Sequence, residues 1–336
     1  MRSRSEETAE HAKNAEQTFS QRSLRSLRFL LFTYFCSVLC ATPALAQQTH
    51  LLVVIGVPGD EEHASQFEKW AATFIDAAKK NEKVPDANVT LLSGARATRE
   101  GVQKAFADLA ARVKADEAVV ILLIGHGSFD GTKGVFNLPG PDPTIAEWAA
   151  LLAKLPSQRV AFVNTSSSSG AFLPAILAPG RVVVTATKTG GERNETQFPE
   201  YFVAAFGDPA ADGDRNGHVS IAEAFEYAKT KVVDAFKQKG NLLTEHAVMD
   251  DGGEGRLAAT IYLGIGRTDA AVDTSDPAMK ALVDERTAIE RQVEALKLRK
   301  PSMDPAQYDA LMETLLTDLA LKTKAIRDRQ AGKDQP

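Results

Sequence analysis

Short, unbroken apolar runs alternate along this chain with stretches that turn apolar at every third or fourth position. Leu51-Leu-Val-Val-Ile-Gly-Val57, residues 118–124, residues 159–164 and Arg181–Thr187 are brief, continuous and rich in β-branched residues, the pattern of strands buried on both faces. Val89–Leu92 reads as a further short strand. Between them, Glu61–Lys80 places Phe67, Trp70, Ala71, Phe74, Ile75 and Ala78 at helical spacing. Thr98–Val113, with Thr98 as N-cap, residues 144–154 and Ile221–Lys239 are further helices, and a small hairpin is expected around 133–138. Strands alternating with helices predict an α/β fold: a mostly parallel sheet flanked by helices, with ligand sites beyond the carboxyl ends of its strands.

From Asp276 the pattern changes. Leu282, Ile289, Val293 and Leu296 form one apolar stripe, and Leu311, Leu315, Leu319, Leu321 and Ile326 contribute to another, with Pro301-Ser-Met-Asp-Pro305 between them. This predicts a C-terminal α-helical hairpin over 277–330, joined by a polar linker at 267–276. At the other end, Met1–Arg28 is polar and basic at its close, Phe29–Ala41 is an apolar run of thirteen residues, and Ala44-Leu-Ala46 offers small residues before a cleavage point at Gln47. That is the layout of a signal peptide over 1–46, too short for the roughly 20 residues of a membrane span. The expected location is periplasmic or extracellular, with membrane contact only through an uncleaved signal segment. The main domain then covers 47–266.

Both cysteines, Cys36 and Cys40, fall within this leader, so cleavage would leave no thiol for a disulfide, a thiolate metal site or a nucleophile. Six Lys/Arg and four Asp/Glu also fall there, which leaves 33 basic and 40 acidic residues beyond it, a net of −7. Such a balance argues against nucleic acid as a partner.

Two strand ends carry the candidate chemistry. Val119-Val-Ile-Leu-Leu-Ile-Gly-His-Gly127 ends in His126-Gly127, and Arg159-Val-Ala-Phe-Val-Asn-Thr-Ser-Ser-Ser-Ser-Gly170 ends in a run of serines. A serine hydroxyl attacks only if a base within hydrogen-bond reach takes its proton, and a near-neutral imidazole suits that task. The backbone N–H groups of Gly127 and Ser167 are candidates for an oxyanion hole. The bland alternative is a loop of small residues beside a satisfied histidine. No carboxylate partner for His126 stands out, although Asp130 lies close in the chain.

The run Ile121–Gly131 resembles the histidine strand of legumain-like, caspase-related cysteine peptidases, whose nucleophile motif is an apolar strand followed by Cys-x-Ser-Gly. Ser167-Ser-Ser-Gly170 fills that slot, so the resemblance places Ser167 at the cysteine position. Val183–Glu195 with Phe198-Pro-Glu-Tyr-Phe202, Asp212–Tyr227, and Thr244-Glu-His-Ala247 with Asp250-Asp251 are similar to secreted bacterial members, so the likeness covers roughly 50–265. It implies a caspase-like α/β domain, a Cys–His dyad, a peptide or protein substrate, and a substrate side lined by residues 190–194. Arg193 and Glu195 are expected to bind a peptide side chain or each other. The departure falls on the nucleophile itself, and the expectation is a pseudoenzyme or an impaired peptidase. A serine-type hydrolase using Ser167 and His126 is the alternative.

A second motif, Asp212-Gly-Asp-Arg-Asn-Gly-His-Val-Ser-Ile-Ala-Glu223, matches the D-x-[DN]-x-[DN]-G-x5-E calcium loop without a gap. Asp212, Asp214, Asn216, the carbonyl of His218, Ser220 and Glu223 would supply oxygen ligands suited to Ca²⁺. The competing reading is a helix start with Ser220 and Glu223 as a capping box. A calcium-binding structural module is accordingly a third candidate function. His246 near Asp250 and Asp251 reads as a surface turn rather than a metal cluster, and His63, in the first turn of a helix, as exposed.

Overall fold

The computed structural model describes residues 48–214, 216–253, 256–264, 276–300 and 303–333. The expected signal peptide at 1–46 and nearly all of the expected linker at 267–276 lie outside these residues. In chain order the main elements are β1 (Thr49–Ile55), α1 (Glu61–Lys80), β2 (Val89–Leu92), α2 (Arg99–Arg112), β3 (Ala118–Ile124), β4 (Gly127–Phe129), β5 (Gly134–Phe136), α3 (Ile145–Leu152), β6 (Val160–Asn164), α4 (Leu173–Ile176), β7 (Arg181–Thr185), α5 (Phe198–Ala205), α6 (Ile221–Gln238), β8 (Val248–Asp250), α7 (Pro277–Arg299) and α8 (Pro305–Lys333). Six strands form one sheet in the order β2-β1-β3-β6-β7-β8, and β4 and β5 pair separately as a small antiparallel hairpin. Within the large sheet all neighbours are parallel except β7 and β8.

The continuous apolar strands are buried on both faces, as their sequence requires. Leu51, Val53, Val120, Leu122, Val163 and Val184 face one layer, with Phe67, Trp70 and Phe74 of α1, Phe198 and Phe202 of α5, and Phe225 of α6. Leu52, Val54, Val119, Ile121, Phe162 and Val183 face the other, with Phe106 and Leu109 of α2 and Trp148 of α3. The chain runs from β1 to β2 on one side and from β2 to β3 on the other. This reversal creates the crevice in which doubly wound sheets bind ligands.

Helix starts follow local chemistry. Asp60 and Thr98 cap α1 and α2 by accepting from the backbone N–H groups of His63 and Gly101. Thr144 with Glu147, and Ser220 with Glu223, form complete capping boxes at α3 and α6. Three elements were not expected: the short α4, α5, which carries Pro199 in its first turn, and the antiparallel edge strand β8. The hairpin α7–α8 is antiparallel, since Arg329 late in α8 pairs with Asp276 at the start of α7 and Lys322 pairs with Glu285. Leu315 and Leu319 of the expected α8 stripe are half-buried and Ile326 is buried, but Leu311 and Leu321 are exposed.

The segment before β8 is tied to α5 by Glu245, which is 4% exposed. Its carboxylate accepts from the N–H groups of Gln197 (2.8 Å) and Phe198 (2.9 Å) at the start of α5. Burial outweighs these bonds and pushes its pKa up to about 7. The folded state therefore holds this proton at pH values where the unfolded chain has lost it. Stability is expected to fall as pH rises from about 4.5 through 7, by on the order of 3 kcal/mol, and Glu245→Gln should remove that slope in urea titrations across the range.

Candidate active site

Three strand ends build the candidate site. β1 leads into Gly56-Val-Pro58, β3 into Gly125-His126, and β6 into Thr165–Ser169. Leu123 of β3 pairs with Asn164 of β6, and His126 and Ser167 each lie three residues beyond that pair. The register thus delivers both groups to the same level of the sheet. They line one narrow cleft with Phe67, Trp70, Glu195 and Thr196, with room for about one water.

The imidazole of His126 is oriented by the backbone rather than by a carboxylate. Its Nε2 lies 2.9 Å from the carbonyl oxygen of Pro58. A carbonyl only accepts, so Nε2 carries the proton, and in the neutral ring Nδ1 is the basic atom. Phe67 packs edge-on against the ring at 5.2 Å between centroids. Asp130 does not take part. It accepts from the N–H groups of Thr132 and Lys133 in the β4–β5 turn, which hold its pKa below the usual carboxylate range.

Ser167 is 8% exposed, and its hydroxyl donates to the carbonyl of Gly127 at 3.0 Å. Among the described residues no hydrogen bond joins it to His126. Its neighbours are also bound: Ser166 to Asn164, Ser169 to Thr187, and Thr165 to the carbonyl of Leu123. Ser168 takes a left-handed conformation and donates its N–H to the carbonyl of Glu192. A side chain on Gly170 would meet the backbone of Lys188 and Thr189 at 2.4 Å, so close approach rather than turn flexibility demands glycine there. The N–H of Ser167 has no hydrogen-bond partner among the described residues, which leaves it a candidate oxyanion donor. Gly127 lies in β4 opposite Phe136.

His63 belongs to the site, contrary to the expectation of an exposed residue. Its ring stands edge-on to that of His126, 4.8 Å between centroids. Nδ1 lies 2.8 Å from Asp60 and Nε2 lies 3.2 Å from Glu195. The bond to Asp60 is the main cause that raises the pKa of His63, helped by the charge of Glu195. Glu195 thus pairs with His63 and not with Arg193, which is exposed. The sequence signal was available: Asp60-x-x-His63 opens the helix after β1, at the same sheet end as His126. Pro58 gave no such signal, because any residue supplies a carbonyl.

Glu192 secures the opposite wall. It accepts from the N–H of Lys188 and of His246, and lies 3.0 Å from the ring of His246. His246 therefore belongs to Glu192, while Asp250 and Asp251 accept from nearby backbone N–H groups. Gly190 packs against the ring of Phe129, so the 190–194 segment does border this end of the sheet.

Elsewhere, carboxylate oxygens of Asp212, Asp214 and Glu223 lie within 4.8 Å of one another. Asp212 accepts from Asn216 and Gly217, and Glu223 both completes the capping box and accepts from Gly213 and Asp214. Asn216 turns its oxygen to the N–H of His218. The ring of His218 points away, to Glu82 at 3.4 Å and the ring of Tyr262. Lys297 of α7 sets its ammonium against Asp214.

No family model matches this chain, and no curated protein matches it. Among solved structures, a protein from Geobacter sulfurreducens superposes with a TM-score of 0.41 at 13% identity, over 60% of this chain and 92% of that one. Caspase-1 from Spodoptera frugiperda superposes with a TM-score of 0.37 at 10% identity, over 68% and 94%. At these values neither likeness bears on the site's chemistry.

The close contact of the two loops yields a direct test. A Cβ on Gly127 would lie 2.4 Å from the carbonyl oxygen of Ser167 and 2.5 Å from the Ser166 hydroxyl. Gly127→Ala is expected to cost about 1–3 kcal/mol in denaturant titration. Gly191→Ala, where the added carbon meets only Thr189 Oγ1 at 3.5 Å, should be close to neutral.

Proposed function

We propose that this protein is an exported relative of the caspase-like, legumain-type peptidases, in which the His126–Ser167 cleft binds a peptide segment but hydrolyses it poorly or not at all. The observation that carries this reading is the hydrogen bond of the Ser167 hydroxyl to the Gly127 carbonyl, which turns its proton away from His126. A thiol in that position, with an ordinary pKa of about 8.5, is ionised beside an imidazole and attacks as a thiolate. A hydroxyl must instead lose its proton to the ring during attack, which leaves an imidazolium behind.

Two features disfavour that imidazolium. Its orienting partner is the neutral carbonyl of Pro58, which aligns the ring but supplies no full negative charge. His63, when protonated, places a like charge 4.8 Å away, a repulsion of about 1–3 kcal/mol at effective dielectric constants between those of a protein surface and water. Working serine hydrolysis, the alternative, requires the Ser167 side chain to rotate toward Nδ1 of His126 and the Ser167 N–H to receive the oxyanion.

Calcium binding by the Asp212 loop is a second reading, favoured by the convergence of three carboxylates. Asp212, Asp214 and Glu223 would hold the ion, while Lys297 competes for Asp214. The ion would then fasten a loop that already caps α6, a structural rather than chemical role.

For the peptidase reading, Ser167→Cys is expected to raise cleavage of a peptide library at least about 100-fold over the unaltered protein. Cleavage by the unaltered protein that disappears in Ser167→Ala would establish the serine hydrolase instead. For the calcium reading, titration calorimetry should give one saturable site that Asp212→Ala abolishes and Lys297→Ala tightens several-fold; no heat at millimolar Ca²⁺ would remove it.

A further inference from the structure

Large apolar side chains exposed to solvent are concentrated on one element. Of five such residues among those described, Leu311, Leu316 and Leu321 belong to α8. Soluble surfaces keep contiguous apolar patches small unless something covers them. Along α8, Met312, Leu316 and Ala320 follow one another at helical spacing, with Leu321 nearby. Met312, Leu316 and Ala320 also open onto the groove between α8 and α7, where Val293 and Leu319 extend the apolar floor.

The charges beside the stripe are ordered along the helix. Asp309 and Glu313 stand at its N-terminal end and Lys324 at its C-terminal end. A second α8 laid antiparallel across the stripe, with the two-fold axis between Leu316 and Thr317, sets Asp309 of each copy against Lys324 of the other. A parallel arrangement would instead place like charges together. Isologous two-fold contacts of this self-complementary kind are the commonest way in which soluble chains pair. We propose that two copies of this chain dimerise through α8, and that the two helical hairpins form an antiparallel four-helix bundle. The candidate clefts of both copies belong to the sheet domains, and none of their residues contributes to the contact.

Sedimentation velocity on the full chain, from about 1 to 200 µM, tests the pairing. The expected result is a concentration-dependent dimer that Leu316→Lys weakens at least about 10-fold without loss of helical circular dichroism. Asp309→Lys and Lys324→Asp should each weaken it by about 10-fold, and the double variant should recover most of the loss, because it restores opposite charges across the axis. A chain that stays monomeric throughout, or a dimer indifferent to Leu316→Lys, would overturn the proposal. Failure of the double variant to recover would overturn the antiparallel register. A monomer that sediments with anionic lipid vesicles through the same stripe would assign the surface to a membrane and also overturn it.

Discussion

The candidate site depends on how closely the ends of β3 and β6 approach each other. Gly127 lies so near the backbone of Ser167 and the side chain of Ser166 that no Cβ fits between them. This contact places the Gly127 carbonyl where the Ser167 hydroxyl can reach it, and it brings the loop after β3 under the loop after β6. The run of small polar residues from Thr165 to Gly170 is the sequence form of the same constraint. Each is buried, and at Gly170 even a Cβ would meet the backbone of Lys188 and Thr189. In this loop the hydroxyls of Ser166, Ser167 and Ser169 each bond a different local group, while that of Ser168 is buried without a hydrogen-bond partner.

Electrostatics around His126 separate ring orientation from ring activation. The Pro58 carbonyl and the Phe67 ring set the tautomer and pose of the imidazole without a carboxylate. The carboxylates of this end, Asp60 and Glu195, are instead directed to His63. Negative charge therefore favours a proton on His63.

The Asp212 loop satisfies two sequence patterns at once. Glu223 completes the capping box of α6 and also receives N–H groups from the start of the loop, so the helix end and the loop share one carboxylate. Lys297 adds a third relation, since it draws the C-terminal hairpin to the same acidic group. The hairpin was legible as two helices because their apolar periodicity is local. Which α8 leucines face α7 was not legible, because the stripe drifts around the helix. Leu315 and Leu319 turn inward, while Leu311 and Leu321 remain outside.

The sequence by itself determined the alternation of buried strands and amphipathic helices, the helix caps at Thr98 and Ser220, and the arrival of His126 and Ser167 at strand ends. Each of these follows from residues a few positions apart, through side-chain periodicity or a bond to a neighbouring N–H. Only the tertiary structure decided what faces His126: a carbonyl 68 residues earlier in the chain, and a histidine held by Glu195 from beyond β7. It likewise decided that Glu192 takes His246 and that β8 closes the sheet. Such partners are set by strand order and register, which sum many weak contacts over the whole core and leave no mark in any short stretch of residues.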